Sequence, residues 1–547
     1  MDYYDILLLV LELVLMAVLF FLAGYAEKAK NSKWRLLYLI PVLVSFAFIA
    51  IAGFEKCLLG IYIGSALCLL GFIWEDIKHR RRGCVAGAVC ALISLPLCLL
   101  YSGYRAKDYL KDFENGFTTM REHYILAEHK GIDWEAIYDE YRPLFVEATE
   151  KNDEMLNFKA WMNFCGEFND GHVYWMPNDE DVFEEMLSTM YGNDYGLAIM
   201  QLADGRYAAV AVEPDSALTE AGIHDGTIIT AWDGQNPLAV AEQSEGLRIA
   251  NFADEDNLAF MKAFYAGGVG GDTVTLSYLD DNGAEREMTL SNMGKYYDRA
   301  TKAMDKINRG VEAANMEWVQ ISDKTACLRI KSMMFDMKSS HTGDHDMMKD
   351  DIRIKIDELN AAGVDNIVID LRSNGGGSGQ MVQAIAELLA PAGEHYYCTD
   401  GLWDEENRCY ATDPETGDYI KGTENYYTSE NLWEGKDIVI LVNHQSASAA
   451  DHFAKVLGAF DNVTVMGFSE SYGSAQGIGG VMMAHSQLVF SSSLLLDKDG
   501  SIFIDGGEDM QSGSKLEVKV PFDHTAIEVL FEKDEDYLMN KALEMIE

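Results

Sequence analysis

Residues 437–453 read DIVILVNHQSASAADHF: five consecutive apolar residues, then two serines set among alanines, then the start of a helical pattern. An apolar run of this length, rich in β-branched side chains, predicts a strand buried on both faces. The small residues after it predict a strand-to-helix turn that other groups can approach closely. Working outward, the same grammar recurs. TACLRIKSM (325–333), NIVIDLRSNGGG (366–377) and VTVMGF (463–468) read as strands; DDIRIKIDELNAAG (350–363), GQMVQAIAELLA (379–390) and AADHFAKVLGAF (449–460) read as helices. Strands alternating with helices predict an α/β layer with parallel strands, whose sites gather at the carboxyl ends of the strands. Two loops fall at such ends, RSNGGG (372–377) and NHQSAS (443–448).

Three consecutive glycines between a strand and a helix let amide groups face a cleft without side-chain obstruction. That fits an oxyanion hole, and it also fits an anion-binding or simply tight turn. The stretch matches neither the P-loop nor the dinucleotide fingerprint. A serine at the second turn exposes its hydroxyl at a helix N-terminus, where developing negative charge is stabilised. Taken alone, such a serine also reads as a helix N-cap.

The pair DLRSNGGG and, some 70 residues on, SASAAD resembles the core of the C-terminal-processing and tricorn-like serine peptidases. The resemblance implies a ClpP/crotonase-like α/β catalytic core and acyl-transfer chemistry. Aligned on the family's Ser-Ala-Ser-Ala-Ser-Glu, the chain reads Ser446, Ala447, Ser448, Ala449, Ala450, Asp451. This implies Ser448 as the nucleophile, with Ala449 and Gly376 amides as oxyanion donors and Gly375 beside them. Many members take their base from a lysine some 25 residues further on. Here Gly473 and Ser474 stand in that loop, and Lys455, seven residues along a helix, lies about 10 Å away, out of reach. The tricorn-like branch instead uses a histidine in a Gly-His motif that follows a helical region containing Asp-Trp. GIDWEAIYDEYRP (131–143) and FNDGHVYW (168–175) supply both, which implies His172 as the general base, a residue type whose unperturbed pKa lies near neutrality and suits the task. For the acid that orients it, Glu508 is the first choice and Glu470 the second.

Upstream, 103–192 has helical spacing of apolar residues. From 193 the period switches to two, in YGLAIMQL, GRYAAVAV and DTVTLSYLDDNGAEREMTL, with DG and NG turns. Together with SALTEAGIHDGTIITAWDG (216–234) this resembles a PDZ-like β-rich module, implying that Tyr195, Gly196 and Leu197 bind a peptide end. Four apolar stretches, 4–25, 35–53, 57–74 and 84–101, each approach the roughly 20 residues that span a bilayer. The basic loops carrying Lys28, Lys30, Lys33 and Arg35, and Lys78, Arg80, Arg81 and Arg82, place those loops in the cytoplasm and the remainder outside. The expectation is therefore a multi-domain, multi-pass protein of the cell membrane with its catalytic domain extracytoplasmic: a four-helix transmembrane anchor (1–102), a helical part carrying His172 (103–192), the PDZ-like module (193–292) and the α/β peptidase core (293–547).

With 88 acidic against 43 basic residues the chain carries a formal charge of −45, which argues against nucleic acid and anionic lipid surfaces as partners. Peptide or protein substrates, including C-terminal tails, are the expected partners. No cofactor or metal is expected. His341, Asp344, His345 and Asp346 offer two histidines at helical spacing, but the stretch reads more simply as a helix-capping segment. The spacing of Cys398 and Cys409 allows a bridge across a loop. The competing functional reading is a non-catalytic peptide- or lipid-binding protein on the same scaffold.

Overall fold

The computed structural model describes residues 108–504 and 513–547, except 179, 251, 253, 310–314, 335–343, 407, 408 and 485. Its centre is a six-stranded sheet in the spatial order Val518–Lys519, Val463–Gly467, Asp437–Leu441, Asn366–Asp370, Thr325–Ile330, Met316–Gln320. The first five strands are parallel and the last is antiparallel. Asn366–Asp370 is buried at every residue, as a strand covered on both faces must be. Asp344–Ala362, Gly379–Leu389 and Ala449–Leu457 are the helices of this layer.

Residues 109–190 contribute helices Tyr109–His123, Trp134–Lys151 and Glu154–Gly166. The second begins at Asp133, whose carboxylate accepts the Glu135 and Ala136 amides, an N-cap on orphan donors of the first turn. Phe113, Phe145, Trp161 and Phe164 form an aromatic core, Phe113 stacking on Phe145 at 4.3 Å. Trp161 also stacks on Trp175 at 6.0 Å, tying these helices to strand Tyr174–Pro177. That strand pairs antiparallel with Ser486–Ser493, which pairs with Gly477–Met482. Residues over 300 positions apart are thereby fixed side by side.

The middle module is a five-stranded antiparallel sheet in sequence order: Ala198–Gln201, Tyr207–Val210, Ile228–Trp232, Thr273–Leu279, Glu285–Ser291. Four short helical segments between 237 and 268 fill the long insert before its fourth strand. Its buried residues join one face of the central sheet, through Val368, Val439 and Leu441, in a single hydrophobic core. The other face, with Ile367, Ile369 and Ile440, packs on the helices of its own layer.

The expected architecture of four transmembrane helices requires correction. Residues 4–101 lie outside the described residues, and among those described no helix is long and apolar enough to cross a membrane. The longest, Asp344–Ala362, carries acids and bases along its length. The fold class is accordingly an α/β peptidase-like core with helical and β-rich additions, and the multi-pass cell-membrane localisation is withdrawn with the spans. Cys398 and Cys409 are both free thiols, the first buried and the second exposed.

Candidate active site

Both glycine-rich and serine-rich loops leave the carboxyl ends of adjacent parallel strands, Asn366–Asp370 and Asp437–Leu441. They are bonded to each other: the Ala447 amide donates to the Asn374 carbonyl at 2.9 Å, and the Ser373 amide to Asn443 Oδ1 at 2.9 Å. Below them Arg372 is buried between Asp370 and Asp536, with bonds of 2.6–2.9 Å to the two carboxylates. The DLR triplet thus anchors the first loop to the C-terminal helix Tyr537–Ile546, which Asp536 caps.

The two serines divide their roles by geometry. Ser446 is fully buried; its hydroxyl donates to the Leu371 carbonyl at 2.8 Å and accepts the Asn443 amide at 3.0 Å. Ser448 is half-buried and lines a cleft of about 590 Å³. Its backbone sits at φ 57°, ψ −117° immediately before helix Ala449–Leu457, a conformation that a non-glycine residue adopts only when its surroundings impose it. Asp451 imposes it. Fully buried in the first turn, its carboxylate accepts the amides of Ser448 (3.0 Å), Gly473 (3.1 Å) and Ser474 (3.3 Å), and Ser448 N–H also meets the Ser474 carbonyl at 2.8 Å. Burial pushes the Asp451 carboxyl up to about 7 against the pull of these donors. The loop that holds a lysine in many relatives is here an acceptor-clamped turn.

Gly376 closely approaches Ser448. At φ +92°, a Cβ there would meet Ser448 Cβ at 2.5 Å and the Ala447 carbonyl oxygen at 2.6 Å. Its amide donates to Asn374 Oδ1 at 2.9 Å, while the Ala449 amide opens the helix N-terminus. Gly375 is exposed with free space around it.

His172 lines the same cleft. It is 6% exposed, with Nδ1 lacking a hydrogen-bond partner and the ring bonded to the Gln476 main chain. Burial lowers its pKa, opposed by the nearby Asp170 carboxylate and by that bond. Asp170, wholly buried, accepts the His172 amide at 2.8 Å and the Ser491 hydroxyl at 2.8 Å, so the strand pairing of 174–177 with 486–493 carries the imidazole into the cleft. Gly171 has no room for a side chain because the Tyr472 ring and the Ser474 hydroxyl occupy that space.

Other expectations fare differently. Glu508 lies outside the described residues, and so does His341. Glu470 does not line the cleft; its amide donates to Asp256 Oδ2 at 3.0 Å, and burial with Asp254 and Asp256 raises its carboxyl to about 7. Tyr195 and Leu197 are buried, the Gly196 amide is taken by Asp194 Oδ1 (2.8 Å) and its carbonyl by the Glu213 amide (2.8 Å). Arg299 locks that loop from behind by pairing with Asp194 and Glu213, so the three residues offer no open groove for a peptide end. Among the described residues no cluster of three or more His, Cys, Asp or Glu could hold a metal ion. Asp170 and His452, a second imidazole in the cleft, have no role in the sequence reading, and Asp451 enters it only as the residue aligned with the family's glutamate. The i+3 spacing of Asp451 from Ser448, a capping-box distance, was the available signal for one of them.

The chain is similar in part to known proteins. Residues 324–507 match peptidase family S41, and residues 105–158 match the tricorn protease C1 domain. Among solved structures the chain is similar to mature CPAF complexed with lactacystin, at 14% identity and a TM-score of 0.51, covering 80% of this chain and 98% of that one. A crystal structure of a CPAF serine-to-alanine mutant gives 14% identity and a TM-score of 0.50, over 81% and 97% of the two chains. At such identity these likenesses bear on the fold alone. The family matches, one over the core that carries Ser448 and the other over the N-terminal helices, indicate that the chain is a serine peptidase similar to the S41 and tricorn-like peptidases.

Proposed function

We propose that this peptidase cleaves peptide bonds through a Ser448/His172 acyl-enzyme mechanism. The observation that carries the reading is the convergence on one cleft of a strained, half-buried serine at a helix N-terminus and a buried histidine with an unpartnered nitrogen. The bond from the ring to the Gln476 main chain, which favours the charged imidazole, assigns a proton to the nitrogen opposite Nδ1. Nδ1 then carries the lone pair. In the first step Nδ1 accepts the Ser448 proton as Oγ attacks the substrate carbonyl. The resulting oxyanion is met by the Ala449 amide, aided by the helix N-terminus, and by Gly376 as it exchanges its Asn374 contact. The imidazolium returns the proton to the leaving amine, and water, deprotonated by the same nitrogen, releases the acyl group and restores Ser448. The Gln476 carbonyl is the orienting partner that the ring has among the described residues.

The substrate is a polypeptide threaded past the nucleophile, and C-terminal tails are the natural class for a processing peptidase. The test is hydrolysis of unfolded casein by wild type, Ser448→Ala and His172→Ala. Loss of cleavage in both variants, with unchanged circular dichroism, supports the mechanism. Cleavage retained by His172→Ala would remove the histidine from the catalytic role.

A further inference from the structure

The second imidazole in the cleft has no part in this mechanism. His452 lies one helical turn beyond Ser448, its amide bonded to the Ser448 carbonyl at 3.0 Å, and its side chain forms part of the cleft wall. The ring stacks on Tyr397 (centroids 4.4 Å, interplanar angle 23°) and tilts against Phe503 at 4.6 Å. Tyr397 is itself fixed by its hydroxyl, which donates to the Gly379 carbonyl at 2.6 Å. The position of the imidazole is therefore set by packing.

It is 5% exposed, one nitrogen bonds to the Tyr397 main chain, and Nε2 has no partner. The bond to a carbonyl holds a proton on Nδ1, which leaves Nε2 as a lone-pair acceptor in the neutral ring. Burial keeps the ring neutral, bringing its pKa down to about 4. A buried acceptor without a donor is costly, and native interiors rarely leave one unmet. No Asp or Glu lines the cleft among the described residues, so a cationic side chain would find no counter-charge there. An acidic one would face the lone pair. Met334, Ile478 and Leu495 supply the apolar remainder of the wall.

On the reading that Ser448 attacks the substrate carbonyl, we infer that His452 determines specificity: its Nε2 accepts a hydrogen bond from a neutral donor, a hydroxyl or carboxamide, on the residue whose carbonyl is attacked. A site built to bond such a donor discriminates against the isostere that lacks it, because the buried acceptor is then left bare.

The test uses the full chain and one peptide released from unfolded casein, resynthesised across its cut site with Thr or Val at the residue preceding the cut. The expected kcat/KM ratio of Thr to Val is about tenfold or more in wild type. It falls to about one in His452→Phe and recovers in part in His452→Gln, which keeps an acceptor. A purely structural role would lower both substrates together and leave the ratio unmoved. An equal ratio in wild type and His452→Phe overturns the inference, and so does a wild-type ratio near one, which decides the matter even if the variant fails to fold. Cleavage that persists in Ser448→Ala overturns instead the nucleophile assignment on which the inference rests.

Discussion

Replacing Gly376 by alanine should silence Ser448, the proposed nucleophile, while leaving the fold standing. The added Cβ would lie 2.5 Å from Ser448 Cβ, 2.6 Å from the Ala447 carbonyl oxygen and 2.9 Å from the Ala449 nitrogen, and the backbone there holds φ +92°. Ordinary carbon contacts need about 3.5–4.0 Å, so the serine turn must retreat by roughly 1 Å. None of the three neighbours is the end of a flexible side chain; two are main chain and the third is the first atom of Ser448. A displacement of about 1 Å at a reacting group costs on the order of 100-fold in rate, or about 2.7 kcal/mol of barrier. Overpacking adds about 1–3 kcal/mol to the loss of stability, with about 1–2 kcal/mol more from a side chain held at positive φ. The assay is the second-order rate of fluorophosphonate labelling, read beside urea unfolding. Gly375→Ala is the control, since nothing lies within 4 Å of its added Cβ; it should label within about threefold of wild type, a modest loss set against the hundredfold one. Labelling of Gly376→Ala at the wild-type rate, or equal losses in both variants, would refute the steric argument.

Other perturbations reach different parts of the site. Arg372→Met leaves Asp370 and Asp536 buried without their cation and should cost about 3–5 kcal/mol in urea unfolding; a loss under about 1 kcal/mol would show the pair to be dispensable. Because burial raises the folded pKa of Asp451 from the ordinary carboxylate range to about 7, its contribution to stability is greatest below the ordinary value and is lost as pH rises through the raised one. The stability of wild type relative to Asp451→Asn should therefore decline between about pH 4 and 7, and a flat difference would contradict the burial argument. His172 must be neutral to act as a base, and burial lowers its pKa. The acid limb of labelling should thus fall below the ordinary imidazole value of about 6.5. It should move lower still in Asp170→Asn, which removes the nearby negative charge, whereas an upward shift would reverse the assigned electrostatics.

The parallel layer was legible because each strand is a continuous apolar run and each helix carries its own period. Ser448, His172 and Gly376 could be singled out through local motifs, and the structure brings the three to one cleft. What escaped depends on partners distant in sequence. The buried state of Tyr195–Leu197 follows from Asp194 pairing with Arg299, 105 residues away, and nothing in YGL itself announces that. The hairpin of Gly393–Gly401 with Lys421–Ser429 is polar along much of its length, so it lacks the alternation that marks a half-buried strand. His452 sits inside a helical pattern that explains it without reference to a cleft; only the rings of Tyr397 and Phe503, folded against it, make it distinctive. Hydropathy alone drove the expectation of membrane spans, and the described residues contain no helix that could serve as one.

The most direct test of the central claim is to label the protein with a fluorophosphonate and map the adduct by peptide mass spectrometry, in wild type and His172→Ala. The account predicts a single adduct on Ser448 in wild type, slowed by at least about 100-fold in His172→Ala, the contribution expected of a general base. An adduct on another serine, or equal labelling of the two proteins, would contradict it.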